Sequence, residues 1–260
     1  MDLVEKNSNT SLRHPWEIAR LKIIFNFFEK YINRDDYYTI LDMGCGDVYM
    51  AEKFIKKYSN IQYIGVDTAF TDEYINECNQ NFKAQAIENI DLYKDINDID
   101  VKKINKIDFI FLFDVIEHID DDIGFLKKLT NYPLLSNECL IFITVPSYNC
   151  LFSSHDVFIK HFRRYNSKML KNIATICNIE VVQNGTFFFV LLFPRIIKVI
   201  KEKFLKSNKN KGIGEWKSSR FITNIIVFIL YLDYMFLKSL RLLGVNMPGL
   251  SNYIICKKSV

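Results

Sequence analysis

The chain has 260 residues, 49% hydrophobic and 25% charged, with 9 Gly, 5 Pro and 6 Cys. That apolar share, at a net charge of +4, excludes a disordered chain, and the composition excludes a collagen-like repeat and a disulfide scaffold. Residues 1–193 hold 21 Lys+Arg against 27 Asp+Glu, a net of −6, whereas residues 194–220 hold 9 against 2, a net of +7. A mildly acidic body therefore carries a basic segment, which suits an anionic partner: phospholipid, nucleic acid or a phosphorylated substrate.

In chain order, Pro15 to Ile32 reads as a helix, with proline in its first turn and Ile18, Leu21, Phe25, Phe28 and Ile32 on one face. Short apolar runs follow, separated by helical stretches. Strands are predicted at Tyr38–Met43, Ile61–Val66, Ile90–Tyr93, Phe109–Phe113, Leu140–Val145, Ile179–Val182 and Tyr253–Cys256, with a helix from Tyr49 to Tyr58. Continuous apolar strands alternating with helices indicate a parallel sheet covered on both faces. The domain division expected is an N-terminal arm and helix (1–34), a sheet domain (35–185), a basic and apolar helical insertion (186–250) and a returning strand (251–260).

The insertion is read as helical from Phe187 to Leu243, interrupted by a polar connector from Ser207 to Ser219. The apolar stretch Ile222–Leu237 covers about 24 Å as a helix, short of a hydrocarbon core of about 30 Å. Asp233 further opposes a span. The segment 187–243 is therefore expected to dock on an anionic membrane surface without crossing it. The alternative is a cap packed on the sheet.

No two cysteines are spaced as C-x-x-C, so neither a zinc ribbon nor a dithiol motif is indicated, and no metal is expected. Reduced thiols and an N-terminus without an apolar h-region suggest a cytoplasmic protein, peripheral on the inner face of the membrane.

The strongest local signal is Leu41-Asp42-Met43-Gly44-Cys45-Gly46-Asp47, between a strand and a helix. Glycines there let the backbone turn sharply and approach a ligand. Asp67 ends the next strand, 21 residues after Gly46, where a carboxylate accepts hydrogen bonds from ribose hydroxyls. A dinucleotide fingerprint would place a third glycine at position 49, which is Tyr49, so an NAD-dependent oxidoreductase is disfavoured. Asp42 also sits badly beside a pyrophosphate and well beside an ammonium and a sulfonium.

Asp42-x-Gly44-Cys45-Gly46, Gly65-Val66-Asp67 and Asp114-Val115-Ile116-Glu117-His118 together resemble the class I S-adenosylmethionine (SAM)-dependent methyltransferases over residues 35–185. Val145-Pro146-Ser147-Tyr148, His155-Asp156 and His161-Phe162-Arg163-Arg164-Tyr165 resemble a narrower subgroup, whose closing P-x-G-x-S is approached by Met247-Pro248-Gly249-Leu250-Ser251. Many such proteins accompany the assembly of cell-surface polysaccharide or glycolipid. One departure is Val48, where the common pattern has a third glycine. The resemblance implies a Rossmann-like α/β fold, with a mostly parallel sheet, an antiparallel last strand, helices on both faces and a helical insertion before that strand.

It also implies roles. Gly44, Cys45 and Gly46 would lie beside the methionine part of SAM, Asp42 would orient its amino group, Asp67 would hold the ribose, Asp95 would neighbour the adenine and Asp114 would line the pocket. His155 or His161 would remove the acceptor's proton, with Asp156 orienting a ring or acting as base itself. Arg163 and Arg164 would grip a phosphate or carboxylate on the acceptor. The expected reaction is O-methylation of a sugar or of a surface-glycan or lipid-linked precursor. A quinone-like or other small acceptor, or a non-catalytic SAM-binding module, are the alternatives. Nucleic acid is disfavoured, because the aromatics near the basic stretch lie in apolar helices and form no stacking platform.

Overall fold

A computed structural model describes residues 13–102, 104–205 and 216–258. Most of the N-terminal arm and residues 207–215 of the expected connector lie outside them. The element order is α1 (Pro15–Phe28), β1 (Tyr38–Met43), α2 (Tyr49–Lys57), β2 (Ile61–Val66), α3 (Asp72–Ala84), β3 (Ile90–Tyr93), β4 (Ile107–Phe113), α4 (Asp122–Thr130), β5 (Leu135–Pro146), α5 (Ser154–Phe158), α6 (Ser167–Ile176), β6 (Ile179–Phe187), α7 (Leu192–Leu205), α8 (Arg220–Leu242) and β7 (Ser251–Lys258).

The seven strands form one sheet in the order β3-β2-β1-β4-β5-β7-β6. Pairing is parallel from β3 through β5, and β7 runs antiparallel to both β5 and β6. This is the Rossmann-like arrangement of class I methyltransferases. Strand order reverses at β1 and β4, and in open α/β sheets ligands bind at the carboxyl ends beside such a reversal.

Side-chain alternation sorts the sheet into two chemically different faces. Phe109, Phe111 and Phe142 point to the side covered by α1, α2 and α8, where they meet Phe27, Phe28 and Phe54. Ile110, Leu112, Ile141 and Ile143 point to the other side, against Leu126 and Leu129 of α4 and Leu170 and Ile173 of α6. Much of the chain's phenylalanine thus makes one aromatic layer, with edge contacts such as Phe28 to Phe111 at 5.9 Å between centroids.

Several boundaries differ from the sequence reading. The run Phe187–Phe193 is not helical throughout: Phe187 ends β6, Phe188 has a left-handed φ of 66°, and α7 begins only at Leu192. The amides of Phe189 and Val190 donate to the Asp233 carboxylate, at 2.9 and 3.2 Å, in place of a helical ladder. Strands β5, β6 and β7 are also longer than their apolar runs, because neighbouring strands pair polar residues such as Asn184 and Asn252 into the ladder.

Candidate functional site

A cavity of about 770 Å³ opens at the carboxyl ends of β1, β2, β4 and β5. The turn after β1 is held against β2 by the Gly44 and Cys45 amides, which donate to the Val66 carbonyl at 2.8 and 3.2 Å. Gly44 has φ of 72°, and a Cβ there would lie 2.7 Å from a Val115 methyl group, so only glycine fits. Val48 keeps a left-handed φ of 55° despite its branched side chain, so the turn retains the conformation of the expected third glycine. Tyr49 follows on the cavity wall, with the Arg13 guanidinium 3.8 Å over its ring.

Asp67 ends β2 and accepts from the amides of Gly46 at 2.8 Å and Ala69 at 2.9 Å, which orients its carboxylate beside the turn. Asp42 is buried and accepts from the Tyr63 hydroxyl at 2.6 Å. Burial pushes its carboxyl up to about 7, against the lowering effect of the Tyr63 and Cys45 hydrogen bonds. Asp114 stands at the end of β4 with φ of 59°, paired with Arg20 and accepting from the Thr144 hydroxyl at 3.1 Å.

The opposite wall carries the histidines. Ser153 caps α5 in a capping box with Asp156, whose Oδ2 accepts from the Ser153 amide at 2.9 Å. Asp156 is fully buried, 3.0 Å from His161 Nδ1 and 2.7 Å from Arg164 Nε, and it is paired with Arg195. Burial raises its carboxyl, but the His161 hydrogen bond and the two guanidiniums outweigh burial and hold it well below the ordinary range. An ionised Asp156 accepts a hydrogen bond from His161 Nδ1–H, which leaves Nε2 of the neutral ring as an acceptor. Nε2 lies 3.9 Å from Glu117 Oε1. Glu117 is fully buried, neither of its carboxylate oxygens has a hydrogen-bond partner among the described residues, and burial with the nearby Asp114 pushes its carboxyl well up. His155 lies on the same wall, and burial with the charges of Lys198 and Arg195 lowers its ring to about 4.

Of the residues singled out in the sequence, Asp42, Gly44, Cys45, Gly46, Asp67, Asp114, His155, His161 and Arg164 line the cavity, and Asp156 stands directly behind His161. Two do not reach it. Asp95 caps a short 3-10 turn, accepting from the Asn97 amide at 2.8 Å. Arg163 bonds the Asp120 carbonyl at 2.6 Å and lies 3.3 Å from the Asp122 carboxylate, so its charge is spent on the start of α4. The basic groups on the wall are instead Arg20, Arg164, Arg195 and Lys198.

Sequence reasoning missed the contribution of α1. Trp16, Glu17, Arg20 and Leu21 close the cavity from above the β1 turn. The available signal was Glu17 and Arg20, two charged residues three apart on a mostly apolar helix. Glu17 Oε2 is buried with no hydrogen-bond partner among the described residues. Glu117, His118 and His161 also bring one ligand atom each within 4.8 Å of one another, a trio the sequence did not suggest. The closing motif completes the rim: Leu250 lines the cavity, and Gly249 packs so tightly on Phe187 that a Cβ would lie 2.4 Å from its carbonyl.

SAM fits this wall. It carries an ammonium for the buried carboxylates of Asp42 and Glu17, a ribose for Asp67 and a backbone that approaches the bare turn at Gly44 and Gly46. If Asp42 pairs with that ammonium, affinity for S-adenosylhomocysteine (SAH) is expected to fall as pH drops below about 7, because Asp42 must first lose its proton. The limiting slope is about tenfold per pH unit. Calorimetry between pH 8 and pH 5.5 measures it, and a flat profile would remove Asp42 from contact with the ligand.

A family model described as a methyltransferase domain matches residues 15–187. No curated protein matches the sequence. Among solved structures, a SAM-dependent methyltransferase from Archaeoglobus fulgidus has a TM-score of 0.51 at 18% identity, covering 93% of this chain and 94% of that one. Coclaurine N-methyltransferase bound to N-methylheliamine and SAH has a TM-score of 0.57 at 16% identity, covering 97% and 75%. The [4+2]-cyclase SpnF has a TM-score of 0.58 at 12% identity, covering 98% and 85%, so one fold serves different reactions. With the family model spanning most of the sheet, this chain belongs to the methyltransferase-domain family, and its cofactor is SAM.

Proposed function

We propose that this protein methylates a hydroxyl oxygen on a sugar, in a surface-glycan or lipid-linked precursor, with His161 as general base. The Asp156–His161 pair on the cavity wall carries this reading. When bound, SAM supplies an electrophilic methyl group on its sulfonium. His161 Nε2 accepts the hydroxyl proton, and Asp156 stabilises the resulting imidazolium through the Nδ1 hydrogen bond. Glu117, whose carboxyl burial pushes well up, lines the cavity 3.9 Å from Nε2. Lys198 offers positive charge to a phosphate on the acceptor, while Phe188 and Leu191 offer an apolar wall to its lipid.

A metal-assisted route is favoured by one observation, the trio Glu117, His118 and His161. There a divalent cation would occupy His161 Nε2 and acidify the hydroxyl directly. One assay separates the readings: SAH release from SAM with phosphorylated sugars, lipid-linked sugars or hydroquinones, each with and without EDTA. Turnover on a sugar that survives EDTA is expected. Turnover on hydroquinones alone would replace the acceptor, and loss with EDTA reversed by a divalent metal would replace the base.

A further inference from the structure

We infer that α7 and α8 form a docking surface for an anionic lipid bilayer, lying in the interface plane beside the cavity. The observation is a large apolar area that the fold leaves uncovered. On α7, Leu192, Arg195, Val199 and Glu202 face the protein, and Glu202 accepts from the Ser154 amide at 3.0 Å. On its other side Phe193, Ile196, Ile197, Ile200 and Phe204 form one exposed stripe at three- and four-residue steps. Phe204 is 82% exposed. At 100° per residue, exposed Lys203 falls on one border of that stripe and exposed Lys201 on the other. An apolar stripe edged by lysines is the pattern of a helix lying half-sunk among lipid headgroups, where the ammonium groups reach the phosphates.

Helix α8 repeats the division. Thr223, Val227, Leu230, Asp233, Tyr234 and Leu237 are buried on one side. Phe221, Ile225, Phe228, Ile229, Leu232 and Phe236 are exposed on the opposite side. Between Phe221 and Leu237 the one charged residue is Asp233, and it faces the protein, so the exposed side carries no charge. The helix is long and apolar enough to cross a membrane, with mean hydropathy 1.6, and 28% of its most apolar window is buried. It is nevertheless fastened through its second half. Asp233 holds the amides of Phe189 and Val190, the Tyr234 hydroxyl donates to Asn26 at 2.7 Å, and Arg241 donates to the Asn184 carbonyl at 3.0 Å. A transmembrane placement would break these bonds and strand Asp233 in hydrocarbon. Lying flat keeps them and covers the exposed side.

Charge selects the occupant. The described residues of 194–220 hold Arg195, Lys198, Lys201, Lys203, Lys217 and Arg220 against one acid, Glu202, while residues 1–193 carry a net of −6, so an anionic surface attracts this part of the molecule and repels the rest. A second copy would instead bring two such basic segments together. Arg195 and Lys198 belong both to α7 and to the cavity wall, so docking sets the cavity next to the headgroups. The inference does not rest on the O-methylation reading, since it concerns a surface and not the base.

Vesicle flotation of the full chain tests it, with phosphatidylcholine vesicles and with vesicles containing phosphatidylglycerol. Flotation is expected with the anionic vesicles, reduced when salt rises from about 0.1 M to about 1 M, where the screening length falls from about 10 Å to about 3 Å. Release by alkaline carbonate is also expected. Phe228→Glu should abolish flotation, and Lys201→Glu with Lys203→Glu should weaken it by roughly tenfold or more. SAH binding and the thermal transition, followed for each variant, show that the protein remains folded. Recovery in the soluble fraction with both vesicle types overturns the proposal. So does flotation that survives salt and carbonate, which means a span, or a dimer in sedimentation whose association Phe228→Glu abolishes. SAH binding is read separately, so failure of the lipid surface and failure of the methyltransferase reading are distinguishable.

Discussion

Replacing His161 with alanine is expected to lower turnover by roughly 10²–10⁴-fold while leaving SAH affinity nearly unchanged. The reason is geometric. Nδ1 is committed to Asp156 at 3.0 Å, so Nε2, 3.9 Å from Glu117 Oε1, is the ring nitrogen left to act on the cavity wall. Asp42 and Asp67, the carboxylates expected to hold the cofactor, belong to the β1 and β2 ends of the cavity instead. His155→Ala is expected to have a smaller effect, because a ring held near 4 is a poor proton acceptor at neutral pH. Asp156→Asn gives a second readout: it keeps the shape of the side chain but removes the charge that stabilises the imidazolium, so turnover should fall and the pH profile should move. Turnover and SAH titration on the three variants check this. Full turnover in His161→Ala would leave proximity to the sulfonium as the sole source of rate.

Asp156→Ala is expected to destabilise the fold by about 3–5 kcal/mol, the usual consequence of removing one partner from a buried ionic cluster. Arg164 and Arg195 would both lose their counter-charge, and Ser153 would lose half of its capping box. For a chain of this size the melting temperature should drop on the order of 10 °C. The sign with pH is fixed by a carboxyl held below its ordinary value of 3.8. Its stabilising contribution is complete above that value and is lost as pH falls further, through the folded-state value. The difference between wild type and Asp156→Ala should therefore be constant near neutrality and shrink only in strong acid. Denaturation melts across pH measure it. A loss below about 1 kcal/mol would show that both arginines swing to solvent without cost.

What the sequence determined by itself was whatever rests on local pattern. The alternating runs declared the strands, because a parallel sheet covered on both faces needs continuous apolar residues. Asp42, Asp67 and Asp114 declared the ligand edge, because each ends an apolar strand and the chain can turn there only at the carboxyl end. Gly44 and Gly46 were legible because a tight turn at positive φ tolerates little else. Tertiary structure alone decided the rest, and each case depends on residues far apart in sequence. Arg20 reaches Asp114 across 94 positions, so no local pattern could place α1 over the cavity. Arg163 and Arg164 are adjacent and looked equivalent, yet neighbouring side chains diverge: one meets Asp120 and Asp122, the other Asp156. His155 and His161 were likewise equal as sequence letters; only the fold sets His161 Nδ1 against Asp156 and buries His155 beside Lys198 and Arg195, which lowers its ring. Asp233 read as a break in an apolar helix. Folded, it holds two backbone amides 43 and 44 positions away, and that is why the opposite side of α8 is free of charge.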